Sequence, residues 1–586
     1  MADDGKAGWN NTAAETTGDV MIAAMSEGGI DHMFFTSGSE IGFFQEAIAK
    51  AKVKGHNKPI KLITVPHEHA NLNAALGFAA VSGRPAATAA HVDCGTLHYG
   101  GAVHTAWRSG LPVLITAGFP PTAFAGTMKG SREEGGHLWM QETYDQNGIV
   151  RNYVKWDHRL SYQDNPGLIV SRAIQVARSE PCGPVYLSFP KELTFLNLED
   201  ARFPTVEQLG IPHPAAPDPS GVSEIAKKLT KAKHPVAIVS GSGRNPETLA
   251  ALVELAELLG LAVVDSAHKA YLCFPFKHPL YQTQDALKKA DAVFIIDVDV
   301  PWIPGHNSPP ANAFVAAVSH DPIKQRIPTY EFSADVRLVA DPLQAILSIK
   351  TAAHKILNKK TDKLKVNNRK KRLNNLSTAW HKANVREAKK HATETPIHPI
   401  WLSYQIGNLV DDNCIILDET LPANRVRDFL PNSVPASYFA NTGSSGGWSP
   451  GAALGAKIAA PDRDVIAVTG DGFYMFGTPA PAIWAAAQHD APFMTVIYTN
   501  RSYTTGTSAV IRSFGKNSYA AKEGFVGGYF DPPIDFAKEA EAAGAYGETV
   551  YDPADLPVAL KRGLEQIRNG KPAVISVWLK RLEGTD

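Results

Sequence analysis

The chain has 586 residues, far too many for one core and enough for roughly three to four domains of about 150 residues each. Lys plus Arg and Asp plus Glu number 58 each, so no global field draws the protein to nucleic acid or to a membrane surface. The cysteines Cys94, Cys182, Cys273 and Cys414 are scattered without CxxC spacing, and the chain shows neither an apolar leader nor a long apolar run, which argues against a zinc ribbon or a membrane span and sets the expectation of a cytoplasmic protein with free thiols.

Residues 1–16 are polar and acidic and read as a flexible tail. From residue 17 helical and strand patterns alternate: helical DVMIAAMSEGG, strand HMFF (32–35), helical IGFFQEAIAKAK, strand LITV (62–65), a small-residue helix to Ser82, strand AATAA (86–90), one helix LHYGGAVHTAWRSG (97–110), strand PVLITAG (112–118) and closing strand VYLSFP (185–190). Such alternation predicts a doubly wound parallel α/β domain over 17–200. Ligands of these sheets bind at the carboxyl ends of strands, and three polar groups stand there. Gly38-Ser39-Glu40 follows HMFF, where Ser39 could instead cap the next helix. Pro66-His67-Glu68-His69-Ala70-Asn71 follows LITV, where Glu68 could be a surface carboxylate favoured by the helix dipole. His91 follows AATAA and could be an interior hydrogen-bonded ring; His98, His104 and His306 are less anchored candidates. The HEH triplet lacks the i, i+4 histidines of a zinc helix.

Pro204, Pro212, Pro214, Pro217 and Pro219 mark 203–220 as a linker. A second α/β domain is expected over 221–352, opening on PVAIVSGSG. Its Gly241-Ser242-Gly243 lacks the third glycine of a dinucleotide fingerprint, and Pro stands at 246. Within an expected basic linker over 353–395, residues 355–372 are rich in Lys and Arg without interleaved aromatics, the pattern of a solvated linker helix rather than a nucleic-acid surface.

The third domain, 396–586, begins with helical IWLSYQIGNLV, strands CIILDET (414–420) and ASYFANT (436–442), and a Gly-rich turn SSGGWSPGAALGAK (444–457). A βαβ unit follows: an apolar strand from Val465 to Thr469, Gly470-Asp471-Gly472, a helix at 481–489, and a second strand ending at Asn500. Asp471 and Asn500 therefore face one crevice, and glycines beside Asp471 let backbone approach a diphosphate; a hard cation such as Mg²⁺ suits these oxygens, although Asp-Gly is also a common turn pair.

Taken together, the strand-His67-Glu68-His69 unit and Gly470-Asp471-Gly472 … Thr499-Asn500 resemble the thiamine diphosphate (ThDP) enzymes of the acetolactate synthase, pyruvate oxidase and benzoylformate decarboxylase group. The resemblance implies three doubly wound parallel-sheet α/β domains: pyrimidine-binding, middle and diphosphate-binding. It implies ThDP with Mg²⁺ held by Asp471, Asn500 and the Ser502 carbonyl, and Glu68 hydrogen-bonded to the cofactor's pyrimidine to promote its activation. Cofactor contacts fall to Glu68, Glu419, Gly446, Gly470, Asp471, Gly472, Asn500 and Ser502, while Ser39 and His91 match a serine and a histidine of the benzoylformate decarboxylase branch that would hold a substrate carboxylate and move protons. The middle domain holds FAD in some members and nothing in others, so FAD stays open. Three positions depart from the pattern. Thr499 replaces the first Asn, Gly446 stands where a bulky residue wedges the cofactor, and Leu421-Pro422 replace polar diphosphate contacts.

The implied activity is a ThDP- and Mg²⁺-dependent lyase or transferase that makes or breaks a C–C bond beside a carbonyl, a 2-oxo acid decarboxylase or carboligase. A 2-hydroxyacyl-CoA lyase, a cyclic-diketone C–C hydrolase, or a catalytically silent scaffold homologue are the alternatives. In the family Glu68 and the metal site come from neighbouring subunits, which implies a homodimer with shared sites and a homotetramer built from it.

Overall fold

The computed structural model describes residues 8–582 apart from 13, 56–58, 200 and 358. Strands such as Ala86–Ala90, Val113–Phe119 and Val185–Pro190 are buried along their whole length. They have no solvent face to offer, so helices must cover both sides, and parallel pairing follows. The first sheet contains β1 (His32–Phe35), β2 (Lys61–Thr64), β3 (Ala86–Ala90), β4 (Val113–Phe119), β5 (Asp157–Arg159) and β6 (Val185–Pro190) in the order β2-β1-β3-β4-β6-β5. The middle sheet contains β7 (Pro235–Val239), β8 (Ala262–Asp265), β9 (Ala292–Ile296), β10 (Phe314–Ser319) and β11 (Val336–Val339) in the order β8-β7-β9-β10-β11. The third contains β12 (Cys414–Glu419), β13 (Tyr438–Ala440), β14 (Asp464–Gly470), β15 (Met494–Thr499), β16 (Tyr546–Val550) and β17 (Ala573–Trp578) in the order β13-β12-β14-β15-β17-β16. All three are parallel throughout. The first and third sheets thus repeat one topology.

Among the described residues, four helices open on a capping Asn or Asp followed by proline: Asn165-Pro166, Asp218-Pro219, Asn245-Pro246 and Asp341-Pro342. The Asn or Asp side chain accepts an orphan backbone N–H, and proline at the first helical position has no N–H to leave unpaired. Pro246 is therefore a helix start, which explains why no third glycine follows Gly243. The basic segment forms the helix Lys360–Lys390, whose buried Arg369 donates to the Leu259 carbonyl at 2.7 Å and the Thr230 carbonyl at 2.8 Å. That guanidinium closes the carboxyl ends of two middle-domain helices.

The first and third domains meet along α1 (Glu68–Ser82) and α2 (Ser449–Ala459). Glycines permit the approach: a Cβ on Gly77 would lie 2.0 Å from the Ala452 carbonyl oxygen, and one on Gly455 1.8 Å from that of Ala74. The small residues of the two helices thus pack closely between domains within this chain.

Several local expectations are corrected. Of the expected tail 1–16, residues 1–7 and 13 lie outside the described residues, but Asn10-Asn11 pair with Arg202-Phe203, and Thr16 forms a capping box. The single helix at 97–110 is two, Asp93–Tyr99 and Gly101–Ser109, because Gly100 takes φ +47 and breaks the ladder. The Gly-rich turn ends at Trp448, where α2 begins, and Gly470-Asp471-Gly472 is no free turn: a helix starts at Asp471. Among the described residues no helix is long and apolar enough to cross a membrane.

Candidate active site

In the order β2-β1-β3 the chain leaves β1 and β3 toward opposite sides, which opens a crevice at their carboxyl ends. Ser39 and Glu40 follow β1 and His91 follows β3, so the topology brings them together. Glu40 is 1% exposed; its carboxylate accepts the Ser39 hydroxyl at 2.9 Å and contacts His91 Nε2, which lies 3.3 Å from Ser39 Oγ. Burial is the largest influence on Glu40 and pushes its pKa up, yet the His91 hydrogen bond and charge, with the Ser39 hydroxyl, outweigh it and hold the carboxyl below its usual range. Gly38 is required by close approach, since a Cβ there would fall 2.4 Å from His91 Cδ2. Ser39 does not cap the following helix Phe43–Val53, whose N-cap is Gly42 without a side-chain bond. Glu40 was named in the sequence only as Ser39's neighbour; a charged residue inside the apolar run SEIGFF was the available signal.

Glu68 is the first residue of α1, and the three residues of the HEH triplet divide the work. His67 Nδ1 accepts the His69 N–H at 3.1 Å and caps the helix. His69 Nε2 lies 3.2 Å from the Gly447 carbonyl, to which Asn73 Nδ2 also donates at 3.4 Å, and burial depresses the His69 pKa. Glu68 is left facing the crevice, mostly buried, and burial raises its pKa. A Cβ on Gly95 would meet Glu68 Oε1 at 2.9 Å and His91 Cβ at 3.3 Å, so these two side chains flank one glycine; His98 Nδ1 stands 3.9 Å from the other Glu68 oxygen.

The third sheet, which repeats this topology, has the equivalent crevice at its own strand ends. Glu419 ends β12, Asp471 follows β14 and Asn500 follows β15. Asp471 is 2% exposed; its two oxygens accept Gly472 N–H at 2.8 Å and Arg501 N–H at 2.5 Å, and burial pushes its pKa up to about 6. Asn500 Oδ1 accepts Ser502 N–H at 3.0 Å, while its amide donates to Thr504 Oγ1 at 2.8 Å. Between them Arg501 takes φ +59, and Arg581 donates to the Asn500 and Arg501 carbonyls at 3.1 Å each, pinning the loop from beyond β17. Ser502 Oγ is buried without a hydrogen-bond partner among the described residues. Among the described residues no group of three or more His, Cys, Asp or Glu could hold a metal. A cation here would draw on one buried carboxylate, an amide oxygen and backbone carbonyls, which is a hard-ion set. The buried carboxylate and the orphaned hydroxyl both fit such an occupant.

The glycine-rich segment lies between the halves. A Cβ on Gly446 would meet Phe473 Cδ1 at 2.8 Å and Phe476 Cδ2 at 3.4 Å, so the space of a bulky residue at 446 is filled by aromatic rings from the helix Asp471–Phe476. Glu419 holds the segment. Its oxygens accept the Gly447, Trp448 and Ser449 N–H groups at 2.9 Å each and the Asn441 amide at 2.7 Å, leaving the buried carboxylate spent on the start of α2. His104 packs 6.0 Å from the Tyr153 ring, and His306 lies in an exposed turn; neither joins the cluster.

With this geometry in hand the comparisons are informative. Residues 15–149 match the family described as "Thiamine pyrophosphate enzyme, N-terminal TPP binding domain" and residues 423–577 the one described as "Thiamine pyrophosphate enzyme, C-terminal TPP binding domain". The chain is 26% identical over 535 residues to a benzoylformate decarboxylase of Pseudomonas aeruginosa, covering 88% of this chain and 91% of that protein. It is 24% identical over 574 residues to a probable acetolactate synthase large subunit of Methanococcus aeolicus, covering 93% and 89%. The solved structure of the benzoylformate decarboxylase from Polynucleobacter necessarius superposes with a TM-score of 0.75 at 18% identity, covering 97% of this chain and 99% of that one.

Proposed function

The chain belongs to the superfamily of thiamine diphosphate-dependent enzymes, and from that premise we propose that it is a Mg²⁺-dependent 2-oxo acid decarboxylase or carboligase. The observation that carries this reading is the Ser39, Glu40 and His91 cluster sharing a crevice with Glu68: a hydroxyl, a proton-relaying pair and a buried carboxyl at one switch point. Bound ThDP supplies a nucleophilic carbon and an electron sink for a C–C bond beside a carbonyl. The side chains do the rest. Asp471, Asn500 and the Ser502 carbonyl would hold Mg²⁺, and Gly470 and Gly472 would leave room for a diphosphate beside it. Glu68, whose pKa burial raises, shares a proton with the pyrimidine ring. Phe473 supplies the bulk that Gly446 lacks, and Glu419 fixes the glycine-rich segment instead of touching ligand. The Ser39 hydroxyl orients a substrate carboxylate, and His91, backed by the Glu40 carboxylate, delivers and removes protons at the reacting oxygen or carbon.

Each chain carries these groups on two different sheets, and we assign the complete site to two subunits. Exposed apolar side chains adjoin both halves: Leu97 beside His98 and Phe476 at the end of the Asp471 helix, with Met140 and Phe514 elsewhere on their domains. A two-fold dimer that covered them would close two sites at once.

Turnover of a panel of 2-oxo acids by the ThDP- and Mg²⁺-loaded protein, followed as CO₂ release with analysis of aldehyde and ligated products, tests the reaction. Activity on at least one aliphatic or aromatic 2-oxo acid is expected, with Ser39→Ala raising KM and His91→Ala lowering kcat. A loaded protein that releases CO₂ from none of them contradicts the reading.

A further inference from the structure

The segment 120–146 leaves β4 and folds back on the carboxyl end of that strand. Gln146 donates to the Gly118 carbonyl at 2.8 Å, and Glu192 Oε1 accepts the Thr122 and Ala123 N–H groups at 2.8 and 3.0 Å. Between these ties Leu138 is buried in the short helix His137–Met140. The backbone around residue 137 is thus held, and it turns His137 toward the site. His137 Nε2 stands 3.9 Å from Glu40 Oε1, while Gly135, where a Cβ would fall 2.8 Å from His137 Nδ1, leaves room for the ring. Glu40 Oε1 has no hydrogen-bond partner among the described residues, whereas Oε2 takes both Ser39 and His91. One carboxylate therefore stands between two imidazoles. The three side chains differ in access to solvent: Glu40 is 0% exposed, His91 20% and His137 43%. Other charges on the segment are engaged elsewhere, Arg132 with Glu142 and Glu134 with Lys191, and Glu68, across Gly95, is a further charge acting on His91.

The function proposed above, on which this inference rests, consumes a proton. When a 2-oxo acid anion loses CO₂, the carbon keeps the electron pair of the broken bond and takes up a proton, so RCOCOO⁻ and H⁺ become RCHO and CO₂. Delivered through His91, that proton leaves the Glu40–His91 pair one short after every turnover, and the buried Glu40 carboxylate cannot recover it from water directly. We infer that His137 returns the proton, acting through Glu40 and not on the reacting atoms. The N–H bond at His137 Nε2 breaks as an O–H bond forms at Glu40 Oε1, Glu40 and His91 then hold the proton between them, and a solvent or buffer acid reprotonates the exposed His137 ring. A ring that titrates near neutral pH suits both halves of this exchange. The present separation is that of an ion pair, and rotation of the exposed ring brings Nε2 to hydrogen-bond length.

Two readouts on His137→Gln, loaded with ThDP and Mg²⁺, test this. NMR of the imidazole nitrogens follows the titration of His91 without any turnover. With the second cation gone from beside Glu40, His91 should titrate higher by roughly half a unit or more, the effect of removing a nearby like charge. In turnover of a 2-oxo acid, kcat for CO₂ release should fall roughly tenfold or more while KM holds, and free imidazole should restore much of the loss. ThDP retention and thermal midpoint should match the wild type, because the replaced ring is exposed. In an active enzyme the inference needs both results. An unmoved His91 titration, an unchanged kcat, or a loss that imidazole does not restore overturns it, the last because a merely structural role has no proton to replace. If the wild type turns over no 2-oxo acid, the reaction class falls. The His91 shift then still decides whether Glu40 is shared between the two rings, and its absence overturns that sharing.

Discussion

Replacing Gly455 by alanine places a methyl group 1.8 Å from the Ala74 carbonyl oxygen, where ordinary contact begins at 3.4 Å. The obstacle is backbone on the facing helix, so no side chain can rotate away. Relief requires α1 and α2 to separate by the difference, 3.4 − 1.8, or 1.6 Å. That movement would stretch the His69 to Gly447 bond, now 3.2 Å, beyond hydrogen-bond range. Overpacking costs about 1–3 kcal/mol and the lost bond about 1 kcal/mol more, so destabilisation of roughly 2–4 kcal/mol is expected. Urea unfolding of Gly455→Ala beside wild type measures it. Gly506→Ala is the control: nothing lies within 4 Å of a Cβ there, and the residue sits in the helix Thr504–Phe514, so it should be neutral or stabilise by up to about 1 kcal/mol. A Gly455→Ala protein within about 0.5 kcal/mol of wild type would refute the idea that backbone contact between α1 and α2 fixes the two domains.

Phe473→Ala should keep ThDP bound but lower kcat by roughly a hundredfold through misplacement of the cofactor, and Gly446→Leu added to it should restore activity, because the ring that blocked position 446 is gone; wild-type kcat in the single variant would show that the bulk comes from elsewhere. Asp471→Ala should fail to retain ThDP and Mg²⁺ in equilibrium dialysis, and unchanged retention would move the metal to other ligands. Lys580 and His391 hold Glu394 down to about 2 from a usual 4.5. A depressed carboxyl stabilises the fold above its unfolded pKa, and that stabilisation drains away as pH falls from 4.5 toward 2. Discounted for solvent it is about 1 kcal/mol, so Lys580→Met should lose most of that at pH 7 and nothing at the acid end; parallel stability curves for the two proteins would contradict the pairing. Mixing exchanged subunits of Glu68→Gln and Asp471→Ala should restore up to one working site per heterodimer, about half the wild-type activity. A verified heterodimer that stays inactive while wild-type hybrids work would place each site within one chain.

Much of the fold was legible because the physical signals were local. Ala86–Ala90 and Val185–Pro190 lie where the apolar runs AATAA and VYLSFP stand in the sequence, since fully buried parallel strands have to be continuous apolar segments. Helix ends were less legible where a single backbone angle decided them. The break at Gly100 and the start of a helix at Asp471 depend on φ and on tertiary contacts that periodicity does not carry. At the site, Asp471, Asn500, Glu68 and His91 stand at strand ends, where strand-to-helix transitions mark them. Glu40 also follows a strand, but its significance comes from His91, a neighbour remote in sequence that the strand order brings beside it.

The measurement closest to the central claim is exchange of the cofactor's C2 proton for deuterium, followed by NMR on ThDP- and Mg²⁺-loaded protein. If Glu68 shares its proton with the pyrimidine ring, the wild type exchanges far faster than free cofactor. Glu68→Gln, which keeps the size and the start of α1 but cannot share a proton in that way, should bind ThDP and fail to accelerate exchange. Exchange in Glu68→Gln at the wild-type rate, with the cofactor bound, would contradict the account.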